Sequence, residues 1–110
     1  MYQSNATSIP LPVVAEDLSF TLVELCRACS AEEEHVLAWV LEGVLEPAGK
    51  VPQDWLFSGN ALSRARLAHR LSHDLEINPP GVALVLDLLD EVAALRARLR
   101  RTGVRWDNER

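Results

Sequence analysis

The 110-residue chain predicts a mainly α-helical fold: a winged helix-turn-helix with a small β-hairpin wing and a long C-terminal helix. Three observations carry that prediction. Two helix-start signatures, Thr21-x-x-Glu24 and Ser30-x-x-Glu33, stand close together in the first third of the chain. Two apolar runs flank the polar turn 49–54, and the break Asn78-Pro79-Pro80-Gly81 precedes the longest helical period in the sequence.

Composition sets the outer limits. A chain of this size buries one core. Its 48% hydrophobic and 25% charged residues are ordinary for a globular domain. The boundaries read as an arm at 1–17, the winged helix-turn-helix plus C-terminal helix at 18–101, and a fraying tail at 102–110. The arm holds Pro10 and Pro12 without a helical period, with a short strand at Val13-Val14 the one regular piece it suggests.

Phe20 enters the fold from a short extended piece. Thr21 and Glu24 then form a capping box, in which the hydroxyl accepts an amide one turn in and the carboxylate reaches back to the cap N–H. The first helix sets Leu22, Leu25, Cys26 and Cys29 on one stripe. Ser30 and Glu33 repeat the box and open the second helix, giving the two-helix outline over residues 21–44. Val36, Leu37, Val40, Leu41 and Val44 are read as its inward side. Glu32, His35, Trp39 and Glu42 are read as its outward side, with Trp39 partly exposed.

Gly43 and Pro47 stop that helix. Val44-Leu45 and Trp55-Leu56-Phe57, either side of the turn, read as the two arms of the wing. Ser58 caps a third helix over residues 60–75, whose apolar positions are Ala61, Leu62, Ala65, Ala68, Leu71 and Leu75. Asn78 and the following prolines restart the chain as a helix over residues 80–101. Val85, Leu88, Val92, Leu95 and Leu99 follow the alternating spacing of a coiled-coil seam, which predicts a homodimer. A second stripe, Val82, Leu86, Leu89 and Ala93, stops halfway, so the first half of the helix packs on its own domain.

Charge bears on function more than length does. The net charge is −5, and the acids crowd onto the helix-turn-helix. Between residues 20 and 49, Arg27 alone faces Glu24, Glu32, Glu33, Glu34, Glu42 and Glu46. Affinity for a duplex comes mostly from Lys and Arg on phosphates, and residues 31–46 offer neither. A helix of groove-reading shape therefore carries the wrong charge for DNA. Glutamates in a first turn also favour the helix dipole, so part of the run is helix electrostatics. The functional reading is an acidic patch that meets a basic protein partner, with Glu32, Glu33, His35, Trp39 and Glu42 as its contact face.

Other chemistries find little support. Cys26-x-x-Cys29 and His69-x-x-x-His73 have zinc-ligand residue types, but the spacer between the pairs is roughly three times the usual one and both cysteines fit the apolar stripe. They read as buried structural thiols. No phosphate loop, nucleophile elbow or acid–base pair can be assembled, so no catalytic residue, metal or cofactor is predicted. Arg96, Arg98, Arg100 and Arg101 suit a helix C-terminus. No apolar run reaches the ~20 residues of a membrane span and no signal-peptide pattern opens the chain. With two cysteines, this predicts a cytoplasmic protein.

Phe20-Thr21-Leu22-Val23-Glu24-Leu25-Cys26, Glu42-Gly43-Val44-Leu45-Glu46-Pro47 and Trp55-Leu56-Phe57 resemble the head of a MerR-type winged helix. The run 75–84, followed by Leu88-Leu89-Asp90-Glu91-Val92, resembles the CbpM family of bacterial chaperone modulators. That resemblance spans about residues 20–101. It implies a protein that binds the J-domain of a CbpA/DnaJ-like co-chaperone and blocks both its stimulation of DnaK and its DNA binding. The resemblance transfers no individual contact residues. The alternative is a MerR-like DNA-binding transcription regulator using the second helix and the Arg64, Arg66 and Arg70 side of the third. A small-molecule sensor using a dimer cleft has no residue in its favour.

Overall fold

A computed structural model of the chain describes residues 18–103. The arm at 1–17, with Val13-Val14, and Trp106 in the tail lie outside the described residues. The order is β1 (Ser19–Phe20), α1 (Leu22–Cys29), α2 (Glu33–Leu41), a single 3₁₀ turn (Pro52–Asp54), β2 (Phe57–Ser58), α3 (Gly59–Asp74) and α4 (Pro79–Arg101). None of these helices is long and apolar enough to cross a membrane.

α1 begins as its sequence predicts. Glu24 N–H donates to the Thr21 hydroxyl at 3.2 Å, and Thr21 N–H donates to the Glu24 carboxylate at 2.9 Å. The second box does not form. Ser30 is instead the left-handed residue that ends α1, at φ 58°, and Ala31 N–H donates back to the Cys26 carbonyl at 3.0 Å. α2 then starts at Glu33, with Glu32 as its cap residue and no side-chain cap bond. A tight turn between two helices needs one left-handed residue, and Ser30 meets that need instead of capping the next helix.

Gly43 closes α2 at φ 82°, where Val44 N–H donates to the Trp39 carbonyl at 2.9 Å and Gly43 N–H to the Val40 carbonyl at 3.0 Å. The wing is present in minimal form. Ala48 and Leu56 exchange two backbone hydrogen bonds of 3.0 Å around the turn. Ala48 replaces Val44-Leu45 as the first arm, because Val44 and Leu45 are both drawn into the core. The turn depends on Gly49: its φ is 113°, and a Cβ there would lie 2.7 Å from the Asp54 carbonyl oxygen. Next along the chain, β2 pairs antiparallel with β1, Phe57 opposite Phe20 and Ser58 opposite Ser19.

One core joins these elements. Leu22, Leu25 and Cys29 of α1 meet Val36 and Trp39 of α2, Val44, Leu45 and Phe57, the small residues Ala61, Ala65 and Ala68 of α3, and Val82 and Leu86 of α4. α3 is capped by Ser58, whose hydroxyl accepts from Ala61 N–H at 3.3 Å. Its predicted last apolar position, Leu75, is exposed beyond the helix end. α4 is capped by Asn78, which accepts from Gly81 N–H at 2.8 Å. Its inward stripe ends at Leu86, about two turns sooner than predicted, with Leu89 and Ala93 exposed. From there α4 has no core to pack on among the described residues.

Candidate functional site

α2 is positioned from both ends: the turn at Ser30 fixes its entry, and the Gly43 turn fixes its exit. Between them it is apolar without interruption from Val36 to Leu41. Its facing is therefore decided by what fits inside. Trp39, predicted to be partly exposed, is 1% exposed and among the largest fully buried side chains. Leu41, predicted to point inward, is 86% exposed. Leu37 and Val40 sit half-buried against the core. The helix is turned by about a third of a turn from the sequence reading, counting 3.6 residues per turn. The physical reason is area: an indole buries more apolar surface than a leucine, and with apolar residues on nearly every side no stripe opposes that choice.

The correction redistributes the predicted contact face. Glu32, Glu33, His35 and Glu42 are exposed, as a contact role requires, whereas Trp39 is not available at the surface. The His35 ring stacks with that of Trp39, centroids 6.5 Å apart. Glu34, which the sequence reading left out of the face, is exposed as well. Among the described residues no cation forms an ion pair with any of these glutamates, whereas Arg64 pairs with Asp90 and His73 with Asp74. The second helix of the helix-turn-helix thus presents an acidic surface with no ion-pair partner among the described residues. A shallow hollow lined by Glu32, Glu33, Glu34 and Leu37 lies at its start.

One cluster has metal-ligand residue types. Ligand atoms of Glu32, Glu34 and His35 lie within 4.8 Å of one another, all on exposed side chains. The positive end of a helix dipole opposes a cation there. Cys26, Cys29, His69 and His73 form no such group among the described residues. Cys29 donates to the Leu25 carbonyl at 3.1 Å, and burial pushes its thiol above the ordinary value. Burial also raises Cys26, reinforced by Cys29 and the Glu33 carboxylate. Both therefore stay protonated and weakly nucleophilic at neutral pH.

The basic side of α3 is less free than the sequence suggests. Arg64 is committed to other groups: its Nε donates to the Val44 carbonyl at 2.9 Å, and its Nη1 lies 3.2 Å from Asp90. Arg66 is half-buried and Arg70 exposed. On α4, Leu88, Val92 and Leu95 of the predicted seam are exposed, and Val85 and Leu99 are half-buried. Leu84 and Leu89 are exposed on the same helix.

Comparison with known proteins agrees with this geometry. The family model described as MerR HTH family regulatory protein matches residues 20–103. A protein of Coxiella burnetii (strain Dugway 5J108-111) named Chaperone modulatory protein CbpM is 41% identical over 86 residues, which is 78% of this chain and 80% of the relative. A protein of the same name from Pseudomonas putida (strain W619) is 41% identical over 73 residues, covering 66% of this chain and 72% of the relative.

Proposed function

Because the chain belongs to the CbpM family of chaperone modulatory proteins, within the MerR helix-turn-helix regulators, we propose that it binds the J-domain of a CbpA/DnaJ-like co-chaperone and inhibits its co-chaperone and DNA-binding activities. The observation that carries this reading is the acidic surface of α2, whose glutamates have no ion-pair partner among the described residues. J-domains generally present a basic helix, and an acidic face against it speeds encounter and rejects other partners. Occupying that helix blocks the surface that docks on DnaK. Inhibition is then stoichiometric competition, with Glu32, Glu33, His35 and Glu42 in the contact region and no catalytic step.

The exposed row on α4 supports a homodimer along Val85, Leu88, Val92, Leu95 and Leu99. Covering a leucine or valine side chain is worth about 1.5–3 kcal/mol, and among the described residues Leu88, Val92 and Leu95 lie exposed on one helix. The protein is read as acting in the cytoplasm, where its co-chaperone partner works.

Charge reversal at Glu32 and Glu33 is expected to weaken capture of the J-domain about tenfold or more at low salt, with little change in melting temperature. Unchanged affinity removes this face from the mechanism. A mobility-shift assay at low salt separates the DNA-regulator alternative, which requires α2 to enter a groove carrying Glu32, Glu33 and Glu34.

A further inference from the structure

Leu41 stands at the centre of the outward face of α2. At roughly 100° per residue, Glu34 and Leu41 point in nearly the same direction, away from the side that buries Val36 and Trp39. Leu37 lies one turn before Leu41, its side chain half-covered. Single exposed leucines are common on protein surfaces. This one is different in its surroundings: Glu33 and Glu34 precede it, Glu42 follows it, and none of the three has an ion-pair partner among the described residues.

Acids alone make a poor binding surface. Exposed ion pairs contribute little each and are screened by salt. A stable complex needs an apolar contact that becomes dry, with charges around it to set rate and selectivity. The outward face of α2 has both parts, an apolar pair within an acidic rim. We infer that Leu41, together with Leu37, is the apolar anchor of the partner surface, and that its occupant is an amphipathic basic helix. That helix sets an apolar side chain against Leu41 and places lysines or arginines over Glu33, Glu34 and Glu42. The inference rests on the co-chaperone reading above and commits to the J-domain as the occupant. It adds the Glu34–Leu41 side of α2 to the contact region that Glu32, Glu33, His35 and Glu42 mark.

The test is titration of the full chain with a purified J-domain of a DnaJ-like co-chaperone, at low and at high salt. Wild type is compared with Leu41→Ala, Leu41→Lys and Glu34→Gln, and the fold of each is checked by thermal melting. Leu41→Ala is expected to weaken binding about tenfold, the loss of one buried leucine contact, by the same factor at both salt concentrations. Leu41→Lys abolishes binding, because it adds a cation opposite a basic helix. Glu34→Gln weakens binding at low salt and much less at high salt. If wild type binds and Leu41→Ala binds equally well, the anchor is overturned while the co-chaperone reading stands. If wild type does not bind the J-domain, both are overturned.

Discussion

The guanidinium of Arg64 on α3 reaches the carboxylate of Asp90 on α4, Nη1 to Oδ2 at 3.2 Å, while its Nε donates to the carbonyl of Val44 at 2.9 Å. One side chain thus ties the last two helices to the segment leaving α2, which holds the candidate partner face. The two contacts differ in worth. Val44 is buried, and leaving its carbonyl unpaired has a desolvation cost, whereas Asp90 is largely exposed. Arg64→Ala is expected to cost about 1–3 kcal/mol, and Asp90→Ala under about 1 kcal/mol. Urea unfolding of the two variants measures the difference; equal losses refute this division.

Trp39 and Leu41, two residues apart, should respond in opposite ways to truncation. Trp39→Ala removes a fully buried indole and is expected to cost about 3–5 kcal/mol. Leu41→Ala removes an exposed side chain and should change stability by less than about 0.5 kcal/mol. Denaturant midpoints decide it, and a large loss at Leu41 would mean α2 faces as the sequence stripe suggested.

Thr21 and Ser30 carry the same residue signature in different roles. Thr21→Ala breaks a formed cap and is expected to cost about 0.5–2 kcal/mol. Ser30→Gly relieves a left-handed residue and should be neutral or stabilising by up to about 1 kcal/mol. If Ser30→Gly and Ser30→Ala both destabilise like Thr21→Ala, Ser30 is acting as a cap after all.

The thiols of buried Cys29 and half-buried Cys26 make alkaline pH destabilising. Cys26 and Cys29 are raised above the ordinary thiol value of 9.0, so the folded chain holds protons that the unfolded chain releases. Their contribution is present below that value and lost as pH rises through the folded one. Stability should fall from about pH 9 upward, and Cys29→Ala should flatten the fall. An equally steep decline in the variant excludes this thiol as its source.

On α4, Val92→Glu places a charge in the middle of the proposed seam. Sedimentation of the wild type is expected to show a dimer and that of the variant a monomer, with α-helical circular dichroism retained by the domain. A wild type that sediments as a monomer at high micromolar concentration rules out the seam.

Much of the fold was readable because it depends on local signals. Thr21, Ser58 and Asn78 cap their helices through bonds to amides three residues on, so their function is written in short spacing. α1 and α3 have polar residues on their outer sides, which leaves one orientation for the apolar stripe. The acidic surface of α2 was legible for the same reason, since the glutamates cannot turn inward without partners. Less was readable where a residue had two possible uses. Ser30 could cap α2 or end α1, and Val44-Leu45 could pair as a strand or fill the core.

The sequence by itself determined a helix-turn-helix whose second helix is acidic, a wing closed at a glycine turn and a long helix with an apolar row. Tertiary structure decided which way α2 faces. From Val36 to Leu41 every residue is apolar, so periodicity contains no direction. Competition for a finite core settled it, seating Trp39 in the core and leaving Leu41 at the surface. It also turned Arg64 inward to Val44 and Asp90, a pairing between residues far apart in the chain that no local pattern announces.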